Sequence, residues 1–149
     1  MSRVLVKPSV IQGEIEAPPS KSYTHRVYAA ALLSKGVSVM INPLRSRDTD
    51  ASRRACMLLG AEVRENGSKT VISGGRLKTP ENVIDVENSG TTLRLFTAIS
   101  ALIPRGYAIL TGDESIRRRP MKPLLDSLRD LGVECWASRL DGRAPIIVR

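Results

Sequence analysis

Aromatic side chains are scarce in this sequence: three Tyr, one Trp and one Phe make up 3% of its 149 residues. A core with so few rings has to be built from Val, Ile, Leu and Ala. The same scarcity leaves little with which to stack the bases of a single-stranded nucleic acid. Histidine occurs once, at His25, without His, Cys or Asp neighbours at ligand spacing, so no metal role is expected of it. Cysteine occurs twice, at Cys56 and Cys135, too few for a disulfide framework, and both lie in apolar patterns that read as core. No apolar run approaches the roughly 20 residues that a membrane span requires. Met1–Pro8 is too short and too soon interrupted for a signal peptide, so the expected setting is cytoplasmic and reducing. Neither G-x-x-x-x-G-K-[ST] nor G-x-G-x-x-G is present, which removes the two common nucleotide-binding loops.

What is present is a basic, aliphatic, globular composition. Hydrophobic residues are 42% and charged residues 26%, and the length suits one ordinary domain or two small subdomains. The net charge is +8, and its distribution is uneven. Residues 1–80 hold 13 Lys and Arg against 6 Asp and Glu, whereas residues 81–149 hold 10 against 9. A basic chain suits nucleic acid, an acidic membrane surface or small polyanions. With no long Lys/Arg run to track a phosphate backbone, small polyanions fit best.

The excess charge surrounds Ala17-Pro18-Pro19-Ser20-Lys21-Ser22-Tyr23-Thr24-His25-Arg26. This loop runs into the apolar stretch Val27–Leu33, so it is predicted to open a helix ending near Ser34. A helix start is already positive through its unpaired N–H groups, and acidic residues normally sit there. Lys21 and Arg26 have the wrong sign for helix stability alone. An anion accepting from the N–H groups, the hydroxyls and both cations would satisfy them together.

In chain order, Ile11–Ala17 alternates and is predicted as a strand. Helix 21–34 follows, apolar on every face between Val27 and Leu33 and so expected to be buried all round. Val37–Ile41 reads as a strand, 51–59 as an amphipathic helix, and 61–64 with 70–73 as a hairpin. The order then returns: strand Val83–Val86, loop 87–92, helix 93–103, strand Ala108–Leu110, polar loop 111–120, amphipathic helix 121–131, and paired strands at 133–137 and 146–148. Arg26 precedes Arg94 by 68 positions, and Leu59-Gly60 precedes Leu131-Gly132 by 72. The fold class expected is α/β of the α+β repeat type, with tandem βαβαββ units of about 70 residues and a buried first helix in each. Boundaries fall at 1–19 for an N-terminal strand segment, 20–80 for the first unit and 81–149 for the second.

Each unit carries a small-residue loop, a helix start and an arginine near the first turn. The second has Asn88-Ser89-Gly90-Thr91 with Arg94. Capping alone accounts for the Ser, Thr and Asn residues. The cation repeated beside both loops is what favours anion binding. Gly90 lets backbone approach a ligand closely. Arg119, the last of Arg117-Arg118-Arg119 before Pro120, abuts a helix start, and its planar fork suits carboxylate or phosphate. Arg117 and Arg118 read as solvated charges. Asp48 fits either a helix cap or a functional carboxylate, with capping the simpler account.

Pro18-Pro19-Ser20-Lys21-Ser22 with Arg26, Glu87-Asn88-Ser89-Gly90-Thr91-Thr92-Leu93-Arg94, and Thr111-Gly112-Asp113 leading to Arg119-Pro120-Met121 resemble the EPSP synthase (3-phosphoshikimate 1-carboxyvinyltransferase) family in order and spacing. The resemblance extends over essentially the whole chain. It implies one lobe of an inside-out α/β barrel and transfer of the enolpyruvyl group of phosphoenolpyruvate to the 5-hydroxyl of shikimate 3-phosphate, in the shikimate pathway. It implies no metal or organic cofactor, no nucleic-acid or membrane partner, and a monomer at full length. Carried over position by position, Lys21 would touch both substrates, and Ser22 and Arg26 would hold shikimate 3-phosphate. Gly90 and Arg119 would hold phosphoenolpyruvate with Asn88 nearby; Arg94 counts among the substrate-binding residues, with Thr91 and Arg94 mainly shaping the loop. Asp48 aligns with a family aspartate close to the site.

The same resemblance implies a partial enzyme. The family's two lobes each hold three such repeats, and this sequence holds two; the N-terminal segment 1–19 pairs with the other lobe in the family, so the strand Ile11–Ala17 is expected to lack that partner here. General-base carboxylates and a Ser-Ser-Gln segment lie in the part not represented here, so no catalytic residue is expected apart from the candidate Asp48, and turnover by this chain alone is not expected. The sister family acting on UDP-N-acetylglucosamine typically has Lys-Asn where Lys21-Ser22 stand and a cysteine in the loop matching Thr111–Pro120. This chain has neither. A basic nucleic-acid-binding module on a related repeat fold is the alternative from another class.

Overall fold

Ser20 ends an extended approach and starts the first helix. Its side chain accepts from the Tyr23 backbone N–H at 3.3 Å, and α1 runs Lys21–Leu33. The computed structural model describes residues 3–149, of which 3–19 lie outside helix and strand. The strand expected over Ile11–Ala17 is therefore not formed. Alternation describes a strand with one face to bury, yet Ile11 and Ile15 are 91% and 94% exposed, and no described strand lies alongside to supply the ladder.

The next elements build a three-stranded antiparallel sheet. β1 (Gly36–Ile41) and β2 (Glu62–Asn66) flank β3 (Lys69–Gly74), with Val39 opposite Val71 and Val63 opposite Ile72. The β2–β3 turn uses Gly67 at φ +56°, a left-handed conformation that glycine adopts without steric cost. Between β1 and β2 lies α2 (Arg47–Leu58), opened by a capping box in which Ser46 and Thr49 each satisfy the other's backbone N–H.

The second sheet has the order β4-β5-β7-β6, from β4 (Ile84–Asp85), β5 (Ala108–Thr111), β6 (Cys135–Ala137) and β7 (Ile146–Val148). β4 and β5 are parallel, so a crossover must join them, and α3 (Gly90–Ser100) supplies it. The expected loop 111–120 contains a short helix, α4 (Glu114–Arg118), because Asp113 caps it by accepting from Ile116 N at 2.9 Å. α5 (Lys122–Asp130) then leads back to β6.

α1, α2 and α3 pack on one another between the sheets' inner faces, and one continuous aliphatic core results around Leu32, Leu59, Ile72, Phe96 and Leu110. Cys56 and Cys135 are buried in it, as expected, and burial pushes the Cys56 thiol up to about 12. The burial expected of α1 is one-sided: Thr24, His25, Tyr28 and Leu32 are buried, while Ala30 and Leu33 are exposed. No described element covers that side. Among the described residues no helix is long and apolar enough to cross a membrane.

Gly74 and Gly75 close the first sheet onto the end of α1. Gly75 N donates to Leu32 O at 2.8 Å, occupying one of the carbonyls a helix end leaves free. A Cβ on Gly74 would lie 2.0 Å from Ala31 O and 2.8 Å from Leu32 O, both backbone atoms. Gly74→Ala is therefore expected to destabilise the fold by about 1–3 kcal/mol, as overpacking against immovable backbone does. Urea unfolding of the variant checks this, and an unchanged midpoint would show that the closure is looser than the geometry requires.

Candidate functional site

α1, α2 and α3 pack on one another, and their first turns differ in charge; α5 also opens on a lysine, Lys122, but Asp126 one turn on pairs with it. α2 has Asp48 and Asp50 in its first turn, the arrangement a helix start favours. α1 and α3 have no acidic residue there. α1 instead has Lys21 as its first residue, followed by Ser22, with Arg26 one turn on. Ser22 and Arg26 are four residues apart and so share a face of the helix. Both are exposed, and Arg26 lies 6.0 Å from the centre of the Tyr23 ring. Neither has a side-chain hydrogen bond or ion pair among the described residues.

Lys21 is the exception. Its ammonium lies 2.8 Å from Asp48 Oδ2, which brings α1's first turn to α2's. The cap of α2 is Ser46 rather than Asp48, so the capping expected for Asp48 gives way to this pairing. With the lysine side chain 53% exposed, such a pair contributes only about 0–1 kcal/mol to stability. Its main effect is to hold the ammonium over the helix start.

α3 begins earlier than expected, at Gly90, because Ser89 caps it by accepting from Thr92 N at 3.3 Å. Arg94 reaches back one turn, donating to Gly90 O at 3.2 Å and to Pro120 O at 3.4 Å. Arg119, half-buried, comes to the same place from the end of α4. A Cβ on Gly90 would lie 2.6 Å from Arg119 Nη1 and 3.2 Å from Arg94 Nη1. Neither guanidinium has a carboxylate partner among the described residues. Arg117 and Arg118 are held locally, by Gly112 O and by Glu114. Asn88 donates to Asp113 Oδ2 at 2.6 Å. The Ile116 backbone N–H, followed by Asn88, holds the Asp113 carboxyl below the usual carboxylate range.

The structure thus brings Lys21 together with Asp48, Gly90 with Arg94 and Arg119, and Asn88 with Asp113. Sequence reasoning did not find the link between these groups. His25 Nδ1 lies 2.7 Å from Ser52 Oγ, Ser52 Oγ lies 2.7 Å from Thr92 Oγ1, and Thr92 Oγ1 lies 2.6 Å from Ser89 Oγ. All four side chains are buried. Thr92 Oγ1 also lies 3.4 Å from Asp48 O. The available signal was polarity out of place: Ser52 lies between Ala51 and Ala55 on the buried face of α2. Burial lowers the His25 pKa, the Asp48 charge opposes that shift, and Lys21 adds to it.

The family model for EPSP synthase (3-phosphoshikimate 1-carboxyvinyltransferase) matches residues 5–149. The chain is similar to the 3-phosphoshikimate 1-carboxyvinyltransferase of Methanocaldococcus jannaschii, with 53% identity over 148 residues, covering 98% of this chain and 34% of the relative. For the enzyme of the same name from Methanothermobacter thermautotrophicus the identity is 51%, covering 100% of this chain and 36% of the relative. Among solved structures, EPSP synthase from Acinetobacter baumannii superposes with a TM-score of 0.84 at 25% identity, covering 91% of this chain and 31% of that one. The chain therefore spans about a third of the length of the curated relatives it matches.

Two expectations follow from the geometry. In Gly90→Ala the new methyl meets only flexible guanidinium ends, so the fold is expected to persist while both arginines are pushed aside. Losing one charge-assisted hydrogen bond to a bound anion costs about 1.5–3 kcal/mol. Phosphate binding, measured by calorimetry, should therefore weaken about 10- to 100-fold with melting temperature held or raised. The second concerns pH. The fold favours neutral His25, so the unfolded chain binds more protons just below the ordinary histidine pKa of about 6.5. That contribution to stability is complete above about pH 6.5 and is lost as pH falls through the lowered native value. Melting temperature should drop more steeply on acidification for the native chain than for His25→Asn, and parallel curves would contradict it.

Proposed function

The chain belongs to the EPSP synthase family, and we propose that it carries the phosphate-binding helix starts on which the enolpyruvyl transfer of that family depends. In this proposal the 5-hydroxyl of shikimate 3-phosphate adds to phosphoenolpyruvate, and the resulting tetrahedral intermediate eliminates phosphate. Lys21, Ser22 and Arg26 hold shikimate 3-phosphate, with Lys21 reaching both substrates. Gly90 and Arg119 hold phosphoenolpyruvate, and Asn88 flanks it. Arg94 shapes the loop through its bonds to Gly90 O and Pro120 O, and Asp48 orients Lys21. Residues 20–80 and 81–149 are the two repeats that carry these loops.

The observation that supports the proposal most is the approach of two guanidiniums to Gly90 with no carboxylate to neutralise either among the described residues. Fixed positive charge of this kind attracts phosphate and carboxylate before any reaction. It costs no reorganisation when charge builds up in a transition state. The contribution of these residues is placement and electrostatics: they bring two polyanions together that would otherwise repel. Small anions also suit a basic chain with five aromatic residues in all. Nucleic acid would need more of them.

Calorimetric titration of the chain with shikimate 3-phosphate tests this. Saturable binding is expected, weakened about 10- to 100-fold in Lys21→Ala, where one charged hydrogen bond is lost. Addition of phosphoenolpyruvate should give a second binding event that Arg119→Ala removes. Absence of saturable binding, or binding that Lys21→Ala leaves unchanged, would contradict the assignment.

A further inference from the structure

We infer that Ser52 and Thr92, with His25, are positioning residues: a buried, one-directional hydrogen-bond chain from the His25 imidazole to the Asp48 carbonyl fixes the two anion-binding helix starts relative to each other. The inference rests on the substrate reading above for its functional half only.

The direction of the chain follows from counting protons. Thr92 Oγ1 has three oxygen neighbours, Ser52 Oγ at 2.7 Å, Ser89 Oγ at 2.6 Å and Asp48 O at 3.4 Å. A hydroxyl has one proton to give and two lone pairs. A carbonyl can only accept, so for all three contacts to be hydrogen bonds the Thr92 proton must go to Asp48 O. Both serines must then donate to Thr92. Ser52 has used its proton and can only accept from its other neighbour, His25 Nδ1, at 2.7 Å. The imidazole therefore carries its proton on Nδ1. Its Nε2 is then a bare lone pair, which agrees with the absence of any hydrogen-bond partner for that buried atom.

Packing alone gives no reason for this arrangement. Buried hydroxyls cost free energy unless bonded, and apolar side chains would fill the same space at no such cost. What hydrogen bonds add is direction. The chain joins α1 through His25, α2 through Ser52 and the Asp48 carbonyl, and α3 through Thr92 and its cap Ser89. At one end stands Asp48, whose carboxylate holds Lys21. At the other stands Ser89, which precedes Gly90. None of His25, Ser52 or Thr92 is exposed to a ligand. They act on the site through Asp48 and Ser89.

Two measurements on the intact chain test this separately. His25 is the only histidine, so its ring nitrogens give one unambiguous set of 15N signals. Protonated Nδ1 with bare Nε2 at neutral pH supports the chain's direction, and the opposite tautomer overturns it whatever the ligand results. Calorimetry with shikimate 3-phosphate and inorganic phosphate, each alone and then together, tests the positioning role. In Thr92→Val each anion alone should bind nearly as in the native chain, and binding of the second in the presence of the first should weaken about five- to tenfold. Thr92→Ser, which keeps the hydroxyl, should restore it. A loss that Thr92→Ser does not restore, or no loss in a folded Thr92→Val, overturns the positioning role. Failure of the native chain to bind either anion overturns the substrate reading and the functional half with it, while the tautomer measurement still decides the rest.

Discussion

Positive charge at two helix starts, only partly compensated within the described residues, is the constraint around which this structure is arranged. A helix N-terminus with lysine or arginine in place of aspartate is a local electrostatic defect. One such defect would be absorbed by solvent. Here two of them, at α1 and α3, are carried on one core and brought near each other through α2, the one helix of the three whose first turn is acidic. α2 neutralises only one of these cations. Asp48 pairs with Lys21 only, while Asp50 is engaged with Arg53 and Arg54. Arg26, Arg94 and Arg119 have no carboxylate partner among the described residues, and it is this charge that the proposed function uses.

The remaining architecture serves that placement. Parallel β4 and β5 require a crossover, and the crossover is α3, so Ser89 and Gly90 stand where the chain leaves the second sheet. Antiparallel β2 and β3 return the chain to the end of α1, where Gly74 and Gly75 fasten it. Arg54 reaches from α2 to Glu87 at 2.5 Å, just ahead of the Asn88–Gly90 loop. Glu87 has φ +50°, unusual for a residue with a side chain, and its carbonyl accepts from Asp113 N at 2.7 Å. The loop that presents Gly90 is thereby braced on one side by α2 and on the other by the cap of α4.

Much of this was legible in the sequence, for physical reasons that differ by element. The hairpin of 61–64 with 70–73 and the ends of the helices at 59 and 131 were visible in the sequence, and glycines at positive φ, Gly67, Gly60 and Gly132, stand at each. The helix starts were visible because their charges have the wrong sign. The strand over Ile11–Ala17 was not a safe inference: alternation records which face would be buried, and burial needs a partner. α4 was hidden because five residues are too few to show a helical period, although Asp113 at its cap was in view. The start of α3 at Gly90 was hidden for a related reason, since Thr91 and Thr92 look like loop until Ser89 is known to cap them. The chain from His25 to Asp48 was out of reach, because its members are 27 and 40 residues apart; Ser52 among the apolar positions of α2 marked a buried hydroxyl but not its partners.

That hydrogen-bond chain also restricts how the sequence can drift. Replacing Ser52 alone with alanine strands the imidazole N–H, and replacing Thr92 alone with valine strands the protons of two serines. Each intermediate carries an orphaned polar group in the core, which costs about 1–3 kcal/mol. An apolar interior at these positions is accessible only if several of them change together. Residues 25, 52, 89 and 92 should therefore behave as one unit of inheritance, exchanged as a set or kept as a set.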